Sequence, residues 1–294
     1  MDIKPALVKE LRERTGAGMM DCKKALVDAS GDLDSAAELL RKQGQAKADK
    51  KASRVAAEGR VALKSDERAG RYALVEVNSE TDFVAKDDNF RGFVDRVAGV
   101  VLDKRPASVE ALMALTADGR TLEEGRLELV TKVGENISVR RFEVLESRGH
   151  VGAYVHGNRI GVLVEIEGGN PELARDLALQ VASLAPRYVS GDEVPKDLLD
   201  KEREIIVAQS ADEKKPPEIL AKMVEGKLRK FVDDITLTGQ VFVKDEAHKL
   251  RVRDVLAKNK ATVKRFRRFE VGEGIEKKAS DFVQEVMAQA SQSR

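Results

Sequence analysis

The sequence predicts an α+β protein in which a helical N-terminal unit precedes two related α+β subdomains. The chain has 294 residues, enough for two domains at roughly 150 residues each. Charged residues make up 35% of it and aromatic residues only 4%, a composition that favours a helix-rich protein over an all-β sandwich. Short apolar segments also recur along the chain, which indicates an internal repeat.

Residues 1–42 predict three short helices. Ile3, Leu7 and Leu11 recur every four residues and mark one helical face. The segment TGAG at residues 15–18 breaks this helix, and a second helix follows over about residues 19–28. The segment SGD at residues 30–32 then predicts a stop followed by an N-cap aspartate, which begins the third helix.

The next stretch differs in charge. Residues 1–40 carry six basic and eight acidic side chains, whereas residues 41–60 carry seven basic and two acidic ones. A basic stretch with Gly, Ala and Ser after a compact segment predicts a solvated linker, with a phosphate-binding arm as the alternative.

Two pairs of similar segments follow the linker. LVEV at residues 74–77 matches LVEI at residues 163–166, and each lies in a turn-bounded, β-rich segment that predicts a strand. After each strand comes an amphipathic helix. RRFEV occurs at residues 140–144 and again at residues 267–271, where it predicts a short closing strand. The chain therefore contains two related α+β subdomains.

The second subdomain contains an insertion. The first pair of segments is offset by 89 residues and the second by 127, so the later subdomain has about 38 extra residues. Residues 195–208 and 218–232 predict two amphipathic helices, and the polar segment ADEKKPP at residues 211–217 separates them. This pattern predicts an antiparallel helical hairpin. A last helix is predicted over about residues 275–289.

Several classes of protein are disfavoured. The single cysteine, Cys22, cannot form an internal disulfide, and none of the three histidines has a partner at zinc-ligand spacing. The chain lacks a phosphate-binding glycine loop ending in Gly-Lys-Ser/Thr, an apolar stretch long enough for a bilayer and a secretion signal. Net charge is only +1, which argues against nucleic acid as the main partner. We therefore expect a cytoplasmic protein with no metal, no cofactor and no membrane contact.

Five residues allow two interpretations each. For the Met19-Met20 pair we favour core filling over an exposed apolar contact, because methionine packs irregular gaps. Phe83, in the segment TDFVAKDD at residues 81–88, precedes Phe90 by two helical turns, so spacing alone slightly favours core packing over an exposed role. For Cys22 we favour a small side chain packed in the helical unit over a reactive thiol. His156 could be a general base, but a turn histidine presented to a partner is favoured.

Three motifs resemble bacterial translation elongation factor Ts. They are LRERTGAGMMDCKKAL at residues 11–26, TDFVAK at residues 81–86 and FEVGEGI at residues 269–275. The likeness extends nearly from end to end and includes KVGENI at residues 132–137 and HGNRIG at residues 156–161. Val133 and Asp88 depart mildly from the family, which often has Ile and Asn there.

The resemblance implies a fold plan. Residues 1–54 would be a three-helix module like ubiquitin-associated domains together with the basic linker. Residues 55–146 and 147–271 would be two core subdomains with small antiparallel sheets, the second bearing a coiled-coil hairpin at about residues 195–232. Residues 272–294 would be a C-terminal helical module.

The resemblance also implies a function: guanine-nucleotide exchange on the GTPase elongation factor Tu, with no chemical step and therefore no catalytic residue. Asp82 and Phe83, flanked by Thr81 and Val84, would enter the partner's GTP-binding domain near its magnesium site. The other implied partner contacts are Arg12, Met19, Met20, Lys23, Val133, Gly134 and His156.

Two rival hypotheses are an adapter that binds the GTPase without releasing GDP, and a hydrolase that uses His156 with Asp82, Asp87 and Asp88.

Overall fold

The computed structural model describes residues 3–210 and 216–276 and confirms the α+β class. The described chain divides into two compact units. Unit 1 contains residues 3–64, 73–144 and 269–276, and unit 2 contains residues 65–72, 145–210 and 216–268. Within the described ranges, no helix combines the length and apolarity needed to cross a bilayer.

Three helices open unit 1: α1 (Pro5–Thr15), α2 (Met19–Asp28) and α3 (Leu33–Lys51). Gly16 ends α1 in the left-handed region at φ 67°, and its N–H donates to the carbonyl of Arg12. The Asp32 side chain accepts the N–H of Ser35 at 2.7 Å and caps α3, as the sequence predicts. Leu11, Leu26 and Ala36 are fully buried between the three helices.

The linker prediction is wrong up to Lys51, because α3 continues through this part of the basic stretch. Leu40, Gly44 and Ala48 are buried at intervals of four residues and form one continuous helical face. The first half of this face joins the three-helix core, whereas Ala48 joins the main core of unit 1. The sequence does not reveal this buried face, since small residues among charged ones give little hydrophobic periodicity.

The main sheet of unit 1 has the order β1-β2-β5. Its strands are β1 (Glu58–Asp66), β2 (Arg71–Ser79) and β5 (Ser138–Glu146). The other elements of this unit are α4 (Asp82–Lys86), α5 (Asp88–Lys104), α6 (Val109–Met113), the short strand pair β3 (Thr116–Ala117) and β4 (Arg120–Thr121), and α7 (Leu122–Val133). Val75 of β2, Phe90 and Val97 of α5 and Val130 of α7 are fully buried in one core.

A carboxylate lies inside unit 1. Glu76 of β2 has no exposed surface and accepts hydrogen bonds from Arg140 Nη1 at 3.0 Å and Arg141 Nε at 2.6 Å. It also accepts the backbone N–H of Gly272 at 2.8 Å and the amide of Asn78 at 3.1 Å. Burial by itself raises the pKa of the Glu76 carboxyl, but the hydrogen bonds from Gly272 and Arg141 and the Arg141 charge outweigh it and lower the pKa.

Unit 2 has a sheet of order β6-β7-β8 covered by α8 (Pro171–Leu184). Its strands are β6 (His150–His156), β7 (Ile160–Glu167) and β8 (Thr262–Glu270). Strands β6 and β7 are antiparallel, with Gly152 opposite Val164. A Cβ on Gly152 would lie 1.8 Å from the carbonyl oxygen of Ala174, so only glycine allows α8 to approach this strand.

The inserted helices are α9 (Lys196–Ser210) and α10 (Pro217–Ile235), which pack against each other. The predicted connection falls mostly on residues 211–215, outside the described residues. After the insertion, α11 (Val252–Lys258) leads into β8. The core of unit 2 consists of residues from β6–β8, α8, α11 and the 237–242 loop and draws none of its buried members from α9 or α10. The predicted final helix lies almost entirely outside the described residues.

Replacing residues 195–232 by a short linker should leave the rest of unit 2 cooperatively folded. The N–H groups of Arg187 and Tyr188 both donate to the Ile235 carbonyl, at 2.8 and 3.3 Å, so the two ends of the deletion remain joined. Urea denaturation followed by circular dichroism tests this expectation. A broad, non-cooperative transition would show instead that the helical pair belongs to the core.

The Glu76→Gln substitution should lower the free energy of unfolding at pH 7 by about 1.5–3 kcal/mol, the worth of hydrogen bonds to a charged group. Because the folded-state pKa is lowered, this stabilisation is present above the unfolded pKa of about 4.3 and is lost as the pH falls through the folded value. The difference from wild type should therefore shrink below about pH 4.3 in urea titrations.

Glu165→Gln is the matched control, because Glu165 occupies the repeated position in β7. It accepts from Arg265 Nε at 2.7 Å and keeps 14% of its side chain exposed, whereas Glu76 keeps none. Its substitution should cost less. An equal loss of unfolding free energy in both variants, or a loss in Glu76→Gln that does not change with pH, would contradict the stabilising role of the buried, ionised Glu76.

Candidate partner-binding site

The segment after β2 forms a short helix that stands apart from α5. Thr81 caps α4, and its Oγ1 accepts the N–H of Val84 at 3.4 Å. Asp87 has extended backbone at φ −63° and ψ 136°, and its side chain begins α5 by accepting the N–H groups of Asn89 and Phe90. The helical path is therefore interrupted between Phe83 and Phe90.

This interruption decides the position of Phe83. Its side chain is 80% exposed, whereas Phe90 is fully buried. The core interpretation that spacing favoured is wrong, because it needs one uninterrupted helix across both residues. Ala85, which is buried, and Val84, which is half-buried, hold α4 against the core of unit 1. The helix therefore presents its aromatic side chain outward.

Asp82 and Lys86 flank the exposed ring. Asp82 Oδ2 lies 2.6 Å from Lys86 Nζ, and this ammonium lies 5.9 Å from the centroid of the Phe83 ring. Exposed pairs of this kind contribute about 0.2–1 kcal/mol, so a partner can replace the Lys86 contact at small cost. The segment thus combines a carboxylate and an apolar ring at one exposed point.

The end of α7 lies beside α4. Gly134 ends α7 in the left-handed region at φ 81°, and Val133 is half-buried against the core. The next residue, Glu135, accepts the N–H of Thr81 at 3.0 Å and its hydroxyl at 2.6 Å. The structure therefore brings together Thr81, Asp82, Phe83 and Val84 with Val133 and Gly134. The sequence analysis did not single out Glu135, although it lies within the KVGENI motif.

The predicted N-terminal contacts are exposed on α1 and α2. Met19 and Met20 are 60% and 74% exposed, so the core-filling interpretation is wrong for both. Ala17 and Cys22 occupy the interior at this turn instead, and the Cys22 thiol donates to the Ala17 carbonyl at 3.6 Å. Arg12 and Lys23 are exposed as well. The buried Cys22 acts as packing material.

His156 belongs to unit 2, at the end of β6, and is exposed. Its Nδ1 lies 3.1 Å from the Tyr154 hydroxyl, and the two rings are stacked with centroids 6.2 Å apart. The carboxylates of the hydrolase hypothesis have other contacts: Asp82 pairs with Lys86, Asp87 caps α5, and Asp88 pairs with Arg91 at 3.0 Å. The contacts of His156 therefore resemble a presented surface residue more than a general base.

In the part of the chain that the structure describes, no three His, Cys, Asp or Glu side chains are grouped so that they could hold a metal ion. The exposed features are instead an aromatic ring with a neighbouring carboxylate on α4, two methionines on α2 and a histidine at a β turn. Exposed apolar side chains beside polar ones are typical of a protein–protein contact surface.

Comparison with known proteins identifies the family of this chain. Residues 80–273 match the family model described as Elongation factor TS. Proteins named Elongation factor Ts are similar over nearly the whole chain: that of Thioalkalivibrio sulfidiphilus is 57% identical over 292 residues, covering 99% of both chains. Those of Alkalilimnicola ehrlichii and Halorhodospira halophila are 54% and 52% identical, covering 99% and 100% of each. On the family match and these full-length relatives, the chain belongs to the elongation factor Ts family.

Proposed function

We propose that this protein binds elongation factor Tu in its GDP form and accelerates GDP release, so that GTP can enter, in the cytoplasm during translation elongation. The observation that carries the proposal is the exposed Phe83 ring beside the Asp82 carboxylate on a capped short helix. An aromatic side chain that is 80% exposed contributes nothing to the core of its own chain. It is therefore available to a partner.

The proposed mechanism is differential binding. A GTPase holds GDP through backbone N–H groups around the phosphates and through a bridging magnesium ion. A protein that binds the nucleotide-free GTPase more tightly than the GDP form must weaken GDP binding by the same factor. The Asp82 carboxylate would act electrostatically near the magnesium site of the GTPase. The Phe83 ring would occupy an apolar gap in the nucleotide-free conformation of the GTPase. This mechanism needs no nucleophile and no general base.

The remaining surface would provide affinity. Met19 and Met20, with Arg12 and Lys23, would dock one part of the partner and keep α4 near the nucleotide site. His156, Val133 and Gly134 would contribute further contacts. In this scheme the docking residues determine how tightly the two proteins associate, whereas Asp82 and Phe83 determine how fast GDP leaves the complex.

The Phe83→Ala and Asp82→Ala proteins should melt nearly as wild type does. The stability change should lie within roughly 0.5 kcal/mol for the exposed Phe83 and be about 0.2–1 kcal/mol for Asp82, the worth of its ion pair with Lys86. Burial of a Phe side chain is worth about 1.5–3 kcal/mol, so Phe83→Ala should lower the maximal stimulated GDP release rate about 10- to 100-fold. Release of a fluorescent GDP analogue from elongation factor Tu measures this. The Asp82→Ala defect should change with magnesium concentration.

Two control variants make this test specific. Phe90→Ala removes the same side chain from the core and should cost about 3–5 kcal/mol of stability. Leu250→Ala removes an apolar side chain that is 45% exposed in unit 2 and should change neither stability nor release. Normal GDP release by a folded Phe83→Ala protein would contradict the proposed role. Saturable binding without faster release by the wild-type protein would favour the adapter hypothesis.

The Met19→Ala, Met20→Ala double variant should raise the concentration needed for half-maximal release about tenfold or more, at roughly 1.4 kcal/mol per decade, and leave the maximal rate unchanged. Both side chains are exposed in the free protein, so melting should also be unchanged. Titration of the exchange factor in the release assay separates the two parameters. A lower maximal rate with unchanged half-saturation would contradict a docking role.

A further inference from the structure

We propose that Glu135 is the positioning residue for the exchange reaction: it fixes the N-terminus of α4 so that Asp82 and Phe83 project in one direction. This inference rests on the proposed function. Glu135 itself need not contact elongation factor Tu. It acts through Thr81, the residue immediately before Asp82.

The contacts of Thr81 give the first argument. Glu135 Oε2 accepts the Thr81 N–H at 3.0 Å, and Oε1 accepts the Thr81 hydroxyl at 2.6 Å. Because a carboxylate is only an acceptor, the hydroxyl hydrogen must point toward Glu135. The oxygen lone pairs then face the N–H of Val84, which lies 3.4 Å away. Glu135 therefore orients the hydroxyl group that caps α4.

The contact is also reciprocal. Glu80, the neighbour of Thr81, accepts the N–H of Asn136, the neighbour of Glu135, at 2.6 Å. Each loop thus provides a carboxylate to the backbone of the other, and we call these four residues the carboxylate clasp. The Asn136 side chain is buried and donates to the Arg54 carbonyl at 2.9 Å. The clasp therefore joins the β2–α4 loop to the α7–β5 loop and to the chain that follows α3.

The small size of α4 gives the second argument. A helix of five residues, Asp82–Lys86, is too short to be stable in isolation. Ala85 is its buried residue, and the chain turns away at Asp87. The direction of Phe83 therefore depends on how the first residue of α4 is held. An exposed element that is ordered before binding loses less conformational entropy on binding than a mobile one.

The test uses a double-mutant cycle in the GDP-release assay with full-length protein. Glu135→Ala should lower the maximal release rate about tenfold and leave the half-saturating concentration unchanged, whereas a merely destabilised protein would lose active concentration. Glu135→Gln keeps one acceptor oxygen and should retain an intermediate rate. Adding Glu135→Ala to the Asp82→Ala, Phe83→Ala protein should slow release no further. Additive losses would overturn the inference and leave the proposed function intact.

A second measurement needs no partner. Hydrogen exchange of the backbone amides in residues 81–86 should become at least about tenfold faster in Glu135→Ala, since the Thr81 N–H loses its acceptor and the capping hydroxyl is no longer oriented. The α8 amides should not change, and neither should residues 81–86 in Glu67→Ala, which alters an exposed glutamate in the turn between β1 and β2. Unchanged protection of α4 would overturn the inference. If α4 loosens while Phe83→Ala releases GDP normally, the proposed function fails and the inference fails with it.

Discussion

The burial of the Glu76 carboxylate is the constraint on which unit 1 depends. The residue joins three segments that are far apart in sequence, since Arg140 is 64 residues away and Gly272 is 196 residues away. An ionised group inside a protein requires partners on every side, so β2, β5 and the turn after β8 must form together. A Cβ on Gly272 would lie 2.2 Å from the Ala57 carbonyl oxygen. Glycine therefore lets this turn approach the start of β1 closely.

The elements that the sequence predicts correctly are those with a strong local pattern. The strands around residues 72–77 and 161–166 and the amphipathic helices after them are observed as β2, β7, α5 and α8. In the two helices the apolar residues identify the buried face. The repeated glutamate also has a physical counterpart, because Glu76 and Glu165 each accept hydrogen bonds from an arginine of a later strand.

The predictions that failed depended on information the local pattern lacks. Helical spacing placed Phe83 on the core face, but one extended residue, Asp87, interrupts the helix. Charge predicted a linker where Gly44 and Ala48 form a buried helical face. Glu135 and Thr81 are 54 residues apart in sequence, and the residues around each of them give no indication that the two are in contact. Such pairings follow from tertiary structure alone.

The continuity of α3 has a consequence for how two proteins would meet. One continuous helix contributes Leu40 to the three-helix core and Ala48 to the core beside α7, and Lys51 Nζ donates to the Gly134 carbonyl at 2.6 Å at its end. A continuous helix therefore connects the core beside the methionines of α2 to the core beside the aromatic ring of α4. Contact at the first point raises the effective concentration of the second, provided that the spacing fits. In the proposed complex, a partner whose two surfaces are spaced differently would gain nothing from this connection, so α3 would set the spacing that the partner must match.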